Sequence, residues 1–200
     1  MRRGRLLIAG LAALVLSACA TLPEPVDDPK ARYQEAVERL RAQTDWDASG
    51  RAALRTADDA GSLSLEWRQR GETYQVDLRA PLGAGSARLE GGPEGVWLTT
   101  SAGDREYAPD PETLVAWFTG YQVPVSALRY WLRGLDAPGP EVERLDLDPA
   151  GRPERLHQAG WEVVYRDWSQ TNGLPLPRRL DISRGEDSVR VVIRDWSLAP

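Results

Sequence analysis

Apolar positions along the chain keep two different periods. Leu63, Leu65 and Trp67 alternate with polar residues, and after Arg70-Gly71-Glu72 the beat resumes at Tyr74, Val76 and Leu78. Alternation over segments this short predicts antiparallel strands with one greasy face. The same reading gives strands over 49–56, 86–91 and 96–100, with a short one over 105–108. Helical spacing replaces it in three places. Tyr33, Val37 and Leu40 fall at i, i+4 and i+7 behind Asp28-Pro29, an N-cap followed by proline at the first helical position, which predicts a helix over 29–43. Asp110-Pro111-Glu112 repeats that signature, and Leu114, Trp117 and Phe118 share a face before Gly120 ends the helix. After Pro124, a third segment carries Leu128, Trp131, Leu132 and Leu135 around a stop at Gly134. The last two are too short and too apolar to stand alone, so they must pack on the sheet.

Strand patterning returns over 143–148, 155–159 and 161–168 and, after a proline-containing loop, over 179–183 and 189–196. About nine to eleven short strands with three helices predict an α+β fold, one large curled antiparallel sheet with helices on one side. One turn is unusual. Ala80-Pro81-Leu82-Gly83-Ala84-Gly85 carries an apolar residue at its tip, where turns ordinarily place Asn, Asp, Ser or Gly. A leucine held out on a stiff loop calls for a hydrophobic partner from outside the chain.

The first twenty residues change the picture more than the overall composition does. Arg2, Arg3 and Arg5 precede an apolar run over 6–16 that suits a secretory signal and is too short to span a bilayer. The run closes in Leu16-Ser17-Ala18-Cys19, the pattern of lipoprotein cleavage just before a cysteine that then carries acyl chains; ordinary signal cleavage with an incidental cysteine is the alternative. Cys19 is the only cysteine and has no disulfide partner. Ala20 rather than Asp follows it, which suits the outer membrane. Residues 1–18 are thus expected to be a signal peptide, 19–28 a lipidated tether and 29–200 a single domain. Without residues 1–18 the chain keeps 22 basic against 30 acidic side chains, so its net charge moves from −5 to −8. That excess of acid argues against nucleic acid and against electrostatic adhesion to an anionic membrane, leaving attachment to the acyl anchor.

Catalytic chemistry finds little support. His157 is the only histidine and sits in an ordinary strand pattern, so a histidine-based metal cluster is excluded. Gly83-Ala84-Gly85 lacks the third glycine and the following helix of a dinucleotide loop. A carboxylate pair for glycoside hydrolysis stays open, although nothing singles one out. Eight Trp and six Tyr against one Phe favour cavity walls and interfaces over a sealed core. With the two short helices as a lid, they predict a half-open barrel lined for something long and greasy.

The ordered set of motifs resembles the LolB family of outer-membrane lipoprotein receptors, among the LolA/LolB-like lipoprotein carriers. It comprises Cys19, Gly50-Arg51, Trp67-Arg68-Gln69, Pro81-Leu82-Gly83, the segments 120–124, 128–134 and 158–165, and Trp196. The resemblance implies an eleven-stranded half-barrel that accepts lipoproteins from the periplasmic carrier LolA, holds their acyl chains, and inserts them into the outer membrane as a monomer without a cofactor or metal. It also implies that the loop Pro81, Leu82, Gly83 meets the membrane lipids. The expected cavity lining is Leu65, Trp67, Tyr74, Val76, Leu78 and Leu89 on the sheet, and Leu114, Trp117, Phe118, Leu128, Trp131 and Leu132 on the lid. Trp161, Val163 and Tyr165 complete it. A structural or assembly lipoprotein that binds a protein partner is the rival expectation.

Overall fold

The computed structural model describes residues 25–199; the expected signal segment and Cys19 lie outside them. Eleven strands form one antiparallel sheet: β1 (Trp46–Arg55), β2 (Ala60–Arg70), β3 (Thr73–Arg79), β4 (Ser86–Gly92), β5 (Gly95–Thr100), β6 (Arg105–Ala108), β7 (Val142–Leu147), β8 (Pro153–Gln158), β9 (Trp161–Thr171), β10 (Leu174–Arg184) and β11 (Asp187–Leu198). Their spatial order is β6-β5-β4-β3-β2-β1-β11-β10-β9-β8-β7, so the sheet is open, with β6 and β7 as its edges. The chain starts in the middle at β1, zigzags to one edge, and re-enters at the other until β11 closes against β1. The link from β6 to β7 must therefore cross the sheet. It does so as α2 (Pro111–Thr119) and α3 (Val125–Trp131), which is why these helices form a lid.

The helix signals act as expected. The Asp28 side chain accepts from the Lys30 and Ala31 amides at the start of α1 (Pro29–Ala42), and Asp110 accepts from the Thr113 amide at the start of α2. Gly120, at φ 76°, ends α2 in the left-handed conformation. The lid's second helix stops earlier than its sequence suggests, because Leu132–Leu135 tightens into a turn with Gly134 at φ 78°.

Two strand boundaries also differ. β1 begins at Trp46 rather than Ser49, held by ring contacts to Trp67 and Trp196, each 5.7 Å between centroids. β10 begins at Leu174 and runs through Pro175 and Pro177, where a loop was expected. Over this stretch β10 pairs only with β9, since its register with β11 starts at Arg179. Prolines there face an unpaired side and cost no ladder bond. Gly50 marks a closer constraint. β1 slips register between Ser49 and Gly50, and a Cβ at Gly50 would collide with the Val192 carbonyl oxygen.

The inner face is filled unevenly. On the β7–β10 side, Leu156, Trp161, Val163, Tyr165, Leu176, Leu180 and Ile182 close against Trp131 and Leu135 into a sealed core. The other side, beneath α2 and the start of α3, is where packing is incomplete.

Candidate apolar cavity

Between the lid and β1–β4 with β11 lies a cavity of about 60 Å³. The sheet contributes Ala52, Leu54, Leu63, Leu65, Trp67, Val76, Leu78, Leu89, Val189 and Val191, and the lid contributes Val115, Thr119, Val123, Val125, Leu128 and Leu132. Thr119 is the only wall residue with a side-chain hydroxyl, and it donates inward to Val115 O at 2.6 Å. Trp67 spends its indole N–H on Gln69 Oε1 at 3.0 Å. Gln69 in turn donates to Gly71 O and Thr73 O at 2.9 and 3.0 Å, so the inward-facing amide is satisfied by the turn beside it. No side-chain polar group of the wall is left for a ligand, which suits hydrocarbon and little else.

Seven expected lining residues meet there: Leu65, Trp67, Val76, Leu78, Leu89, Leu128 and Leu132. Others sit elsewhere. Leu114 is buried and Phe118 half-buried in the core, without lining the cavity. Trp117 is 60 % exposed and lies outside it. The inner face of α2 is centred on Pro111, Leu114, Val115 and Phe118, and at 3.6 residues per turn Trp117 falls roughly 120° away from that centre. Trp131, Trp161, Val163 and Tyr165 belong to the sealed core, and Tyr74 lines a neighbouring pocket. The residues missed by sequence reasoning, chiefly Val115, Val123, Val125, Val189 and Val191, are small β-branched side chains. Their alternation in β11 is as plain as that of β2, but no aromatic drew attention to it.

The lid is fastened most heavily at the end of α3. At the end of α3, Trp131 Nε1 donates to Gln158 Oε1 at 2.9 Å, Gln158 Nε2 donates to Ala137 O at 2.8 Å and Pro140 O at 2.9 Å, and the Tyr165 hydroxyl donates to Trp131 O at 3.1 Å. Arg133 adds a tie to α1, its Nη1 donating to Leu40 O and Gln43 O, each at 2.9 Å. Burial, aided by the charges of Arg129 and Arg41, lowers the Arg133 pKa to about 10, so the group stays charged at neutral pH. The α2 end has a lighter fastening: Glu112 accepts from the Ser126 amide at 2.7 Å and hydroxyl at 3.1 Å, which ties α2 to α3 and not to the sheet.

Leu82 stands at 107 % exposure on a 3-10 turn, Pro81–Gly83. Its φ is 56°, a left-handed conformation that costs a leucine roughly 1–2 kcal/mol. The loop is closed by Ala80 N donating to Gly85 O at 2.9 Å and Ala84 N to Pro81 O at 3.1 Å. It follows Arg79, which pairs with Ser64 beside the wall residue Leu63. The turn between α2 and α3 reaches the same end, where a Cβ added at Gly61 would lie 3.3 Å from the Tyr121 hydroxyl. The apolar tip and the Leu63 end of the cavity therefore share one end of the sheet.

Among the described residues no helix is long and apolar enough to cross a membrane, and no cluster of three or more metal-ligating side chains occurs. His157 lies with Nε2 3.4 Å from Glu162 Oε1 at the surface.

A family model described as outer membrane lipoprotein LolB matches residues 44–196. The chain belongs to the LolB family. It is 49 % identical to the outer-membrane lipoprotein LolB of Halorhodospira halophila over 96 % of this chain and 95 % of that one. Against the LolB of Nitrosococcus oceani it is 36 % identical over 99 % and 100 %. The fold alone is shared with a LolA superfamily protein from Nitrosomonas europaea, at a TM-score of 0.52 and 10 % identity over 84 % of this chain and 94 % of that one. A Vibrio parahaemolyticus domain described as outer-membrane lipoprotein sorting matches with a TM-score of 0.53, at 9 % identity over 86 % and 93 %. As a LolB-family protein, the chain is an outer-membrane lipoprotein and not an enzyme.

Proposed function

We propose that this LolB-family chain receives lipoproteins from LolA, shelters their acyl chains between lid and sheet, and delivers them to the outer membrane. Residues 1–18 would be removed, Cys19 acylated, and the domain from residue 29 held near the bilayer as a monomer by a short tether. The observation that carries this reading is a hollow whose walls offer no free side-chain polar group, roofed by two helices fastened chiefly at the α3 end. At about 60 Å³ the hollow is far smaller than the roughly 300–1,000 Å³ of ordinary ligand sites. A chain must therefore displace α2 and the start of α3 to enter. Each methylene buried contributes about 0.8 kcal/mol, so a chain of roughly fifteen contributes roughly 12 kcal/mol, enough to offset re-exposing several lid side chains at about 1.5–3 kcal/mol each. No nucleotide is needed, and direction follows from affinity rising from carrier to receptor to bilayer.

The test uses the full chain with Cys19→Ala, which removes the acyl anchor. Incubated with LolA loaded with a fluorescent lipopeptide, it should take the cargo stoichiometrically and pass it to liposomes. Leu82→Glu should load normally and fail to release. No loading by the parent chain sinks the carrier reading; unchanged release by the variant removes Leu82 from the mechanism. No loading would also favour the alternative of an assembly lipoprotein that docks a protein partner. That reading has its own observation at the sheet edge, where the rings of exposed Trp97 and Tyr107 meet 5.2 Å apart at a tilt of 53°, with Arg105 4.2 Å over the Trp97 ring.

A further inference from the structure

A second and larger pocket, about 450 Å³, lies at the other end of the sheet from Leu82, against the β2–β3 and β4–β5 turns. It shares two walls with the apolar cavity, Trp67 and Val125, which stand between the two spaces. Its chemistry differs from its neighbour's. The rim carries Pro93, Pro109, Pro111, Pro138 and Pro140, which have no amide N–H to offer. Arg129 supplies the donor. Its Nε is buried with no hydrogen-bond partner, while Nη2 reaches only Gly71 O at 3.5 Å and the guanidinium lies 5.2 Å over the Tyr130 ring. A buried, unused N–H on a cation is a costly thing to leave unmatched. Glu72 and Asp110 also line the pocket, so a carboxylate or phosphate placed beside Arg129 would face two like charges. The complement to such a wall is an uncharged acceptor, an ester or amide carbonyl.

We propose that this pocket is the subsite for the polar end of the acylated cargo, the glyceryl ester carbonyls and first peptide carbonyls attached to a lipidated N-terminal cysteine, with the Arg129 guanidinium as donor. The proposal rests on the carrier reading above and adds an orientation to it. With the polar end at Arg129 and the tails running past Trp67 and Val125, the tail ends lie toward Leu63, the end of the sheet that bears Leu82. Tails would then leave first, into lipid.

The test compares two probes on the full chain with Cys19→Ala: a synthetic triacyl-cysteinyl tripeptide amide carrying a fluorophore, and a pyrenyl alkane of matched chain length that has no carbonyl. Arg129→Met removes the donor, and Ala127→Phe fills the pocket from α3 without touching the charge. Both should weaken the lipopeptide about tenfold or more and change the alkane less than about twofold. Thermal melts confirm that each variant is folded, and either folded variant suffices for the comparison. Equal losses for the two probes, or no loss of the lipopeptide, overturn the subsite while the parent chain still binds both. A parent chain that binds neither probe overturns the carrier reading itself and the subsite with it. Slower transfer from LolA at unchanged lipopeptide affinity also overturns the subsite, and assigns the pocket to carrier docking.

Discussion

The most buried carboxylate among the ion pairs of the described residues lies on the outer face of the sheet, away from the cavity. Asp77 alternates with Val76 and Leu78 and so points outward, yet it is buried beneath arginine side chains. Burial alone would raise its pKa. Hydrogen bonds from Arg88 at 2.7 Å and Gln75 at 2.7 Å, with the charges of Arg88 and Arg68, outweigh that and leave the carboxyl below its ordinary value. A carboxylate depressed in the folded state stabilises it above the unfolded pKa of about 4, and that stabilisation is lost as pH falls through the lowered value. Asp77→Asn is therefore expected to lower stability at pH 7 and to flatten its decline below about pH 4. Urea unfolding of parent and variant at pH 7 and pH 3 checks this: a stability gap that does not shrink at pH 3 would contradict it.

At the scale of elements, the lid is a pair of helices stapled at the α3 end and merely clasped at the α2 end. Glu112→Ala removes the clasp to Ser126 and is expected to destabilise the fold by about 1 kcal/mol, as loss of a helix cap does. It should also speed entry of a fluorescent acyl probe in stopped-flow mixing, because α2 no longer carries α3 with it. Unchanged entry kinetics would show that the clasp does not hold the lid. Much of this layout is legible in the sequence. Asp28-Pro29 and Asp110-Pro111 both start helices, and the alternation through Leu63, Leu65 and Trp67 fixes which face of β2 is inner. What sequence could not supply was curvature and partnership. Pro175 and Pro177 read as a loop because nothing local says that one side of β10 is unpaired. Trp117 reads as lining because its helical phase, set by where α2 meets β5 and β6, is a property of packing. The residues of the cavity wall and of the sealed core carry the same side-chain types, so the boundary between hollow and filled could not be drawn from composition. Leu82 was legible from its neighbours Pro81 and Gly83, which make a stiff turn with no inward partner for the side chain.

Taken as a whole, the molecule is an open sheet whose two edges are joined by a link that has to cross its inner face. That topology makes the lid a consequence of connectivity. The half roofed by α2 packs loosely enough to leave a hollow, while the half under Trp131 is shut. Function on this account is a competition between lid side chains and an alkyl tail for the same apolar wall, with the membrane end marked by Leu82 and the polar end by Arg129. The most direct measurement places a nitroxide near the middle of an acyl chain and records methyl spectra of the loaded full chain carrying Cys19→Ala. Strong paramagnetic broadening at Leu65, Val76, Leu89 and Val191, with the sealed-core methyls of Leu180 and Ile182 spared, is the predicted result. Broadening confined to exposed positions such as Val192, with the cavity methyls unchanged, would contradict it.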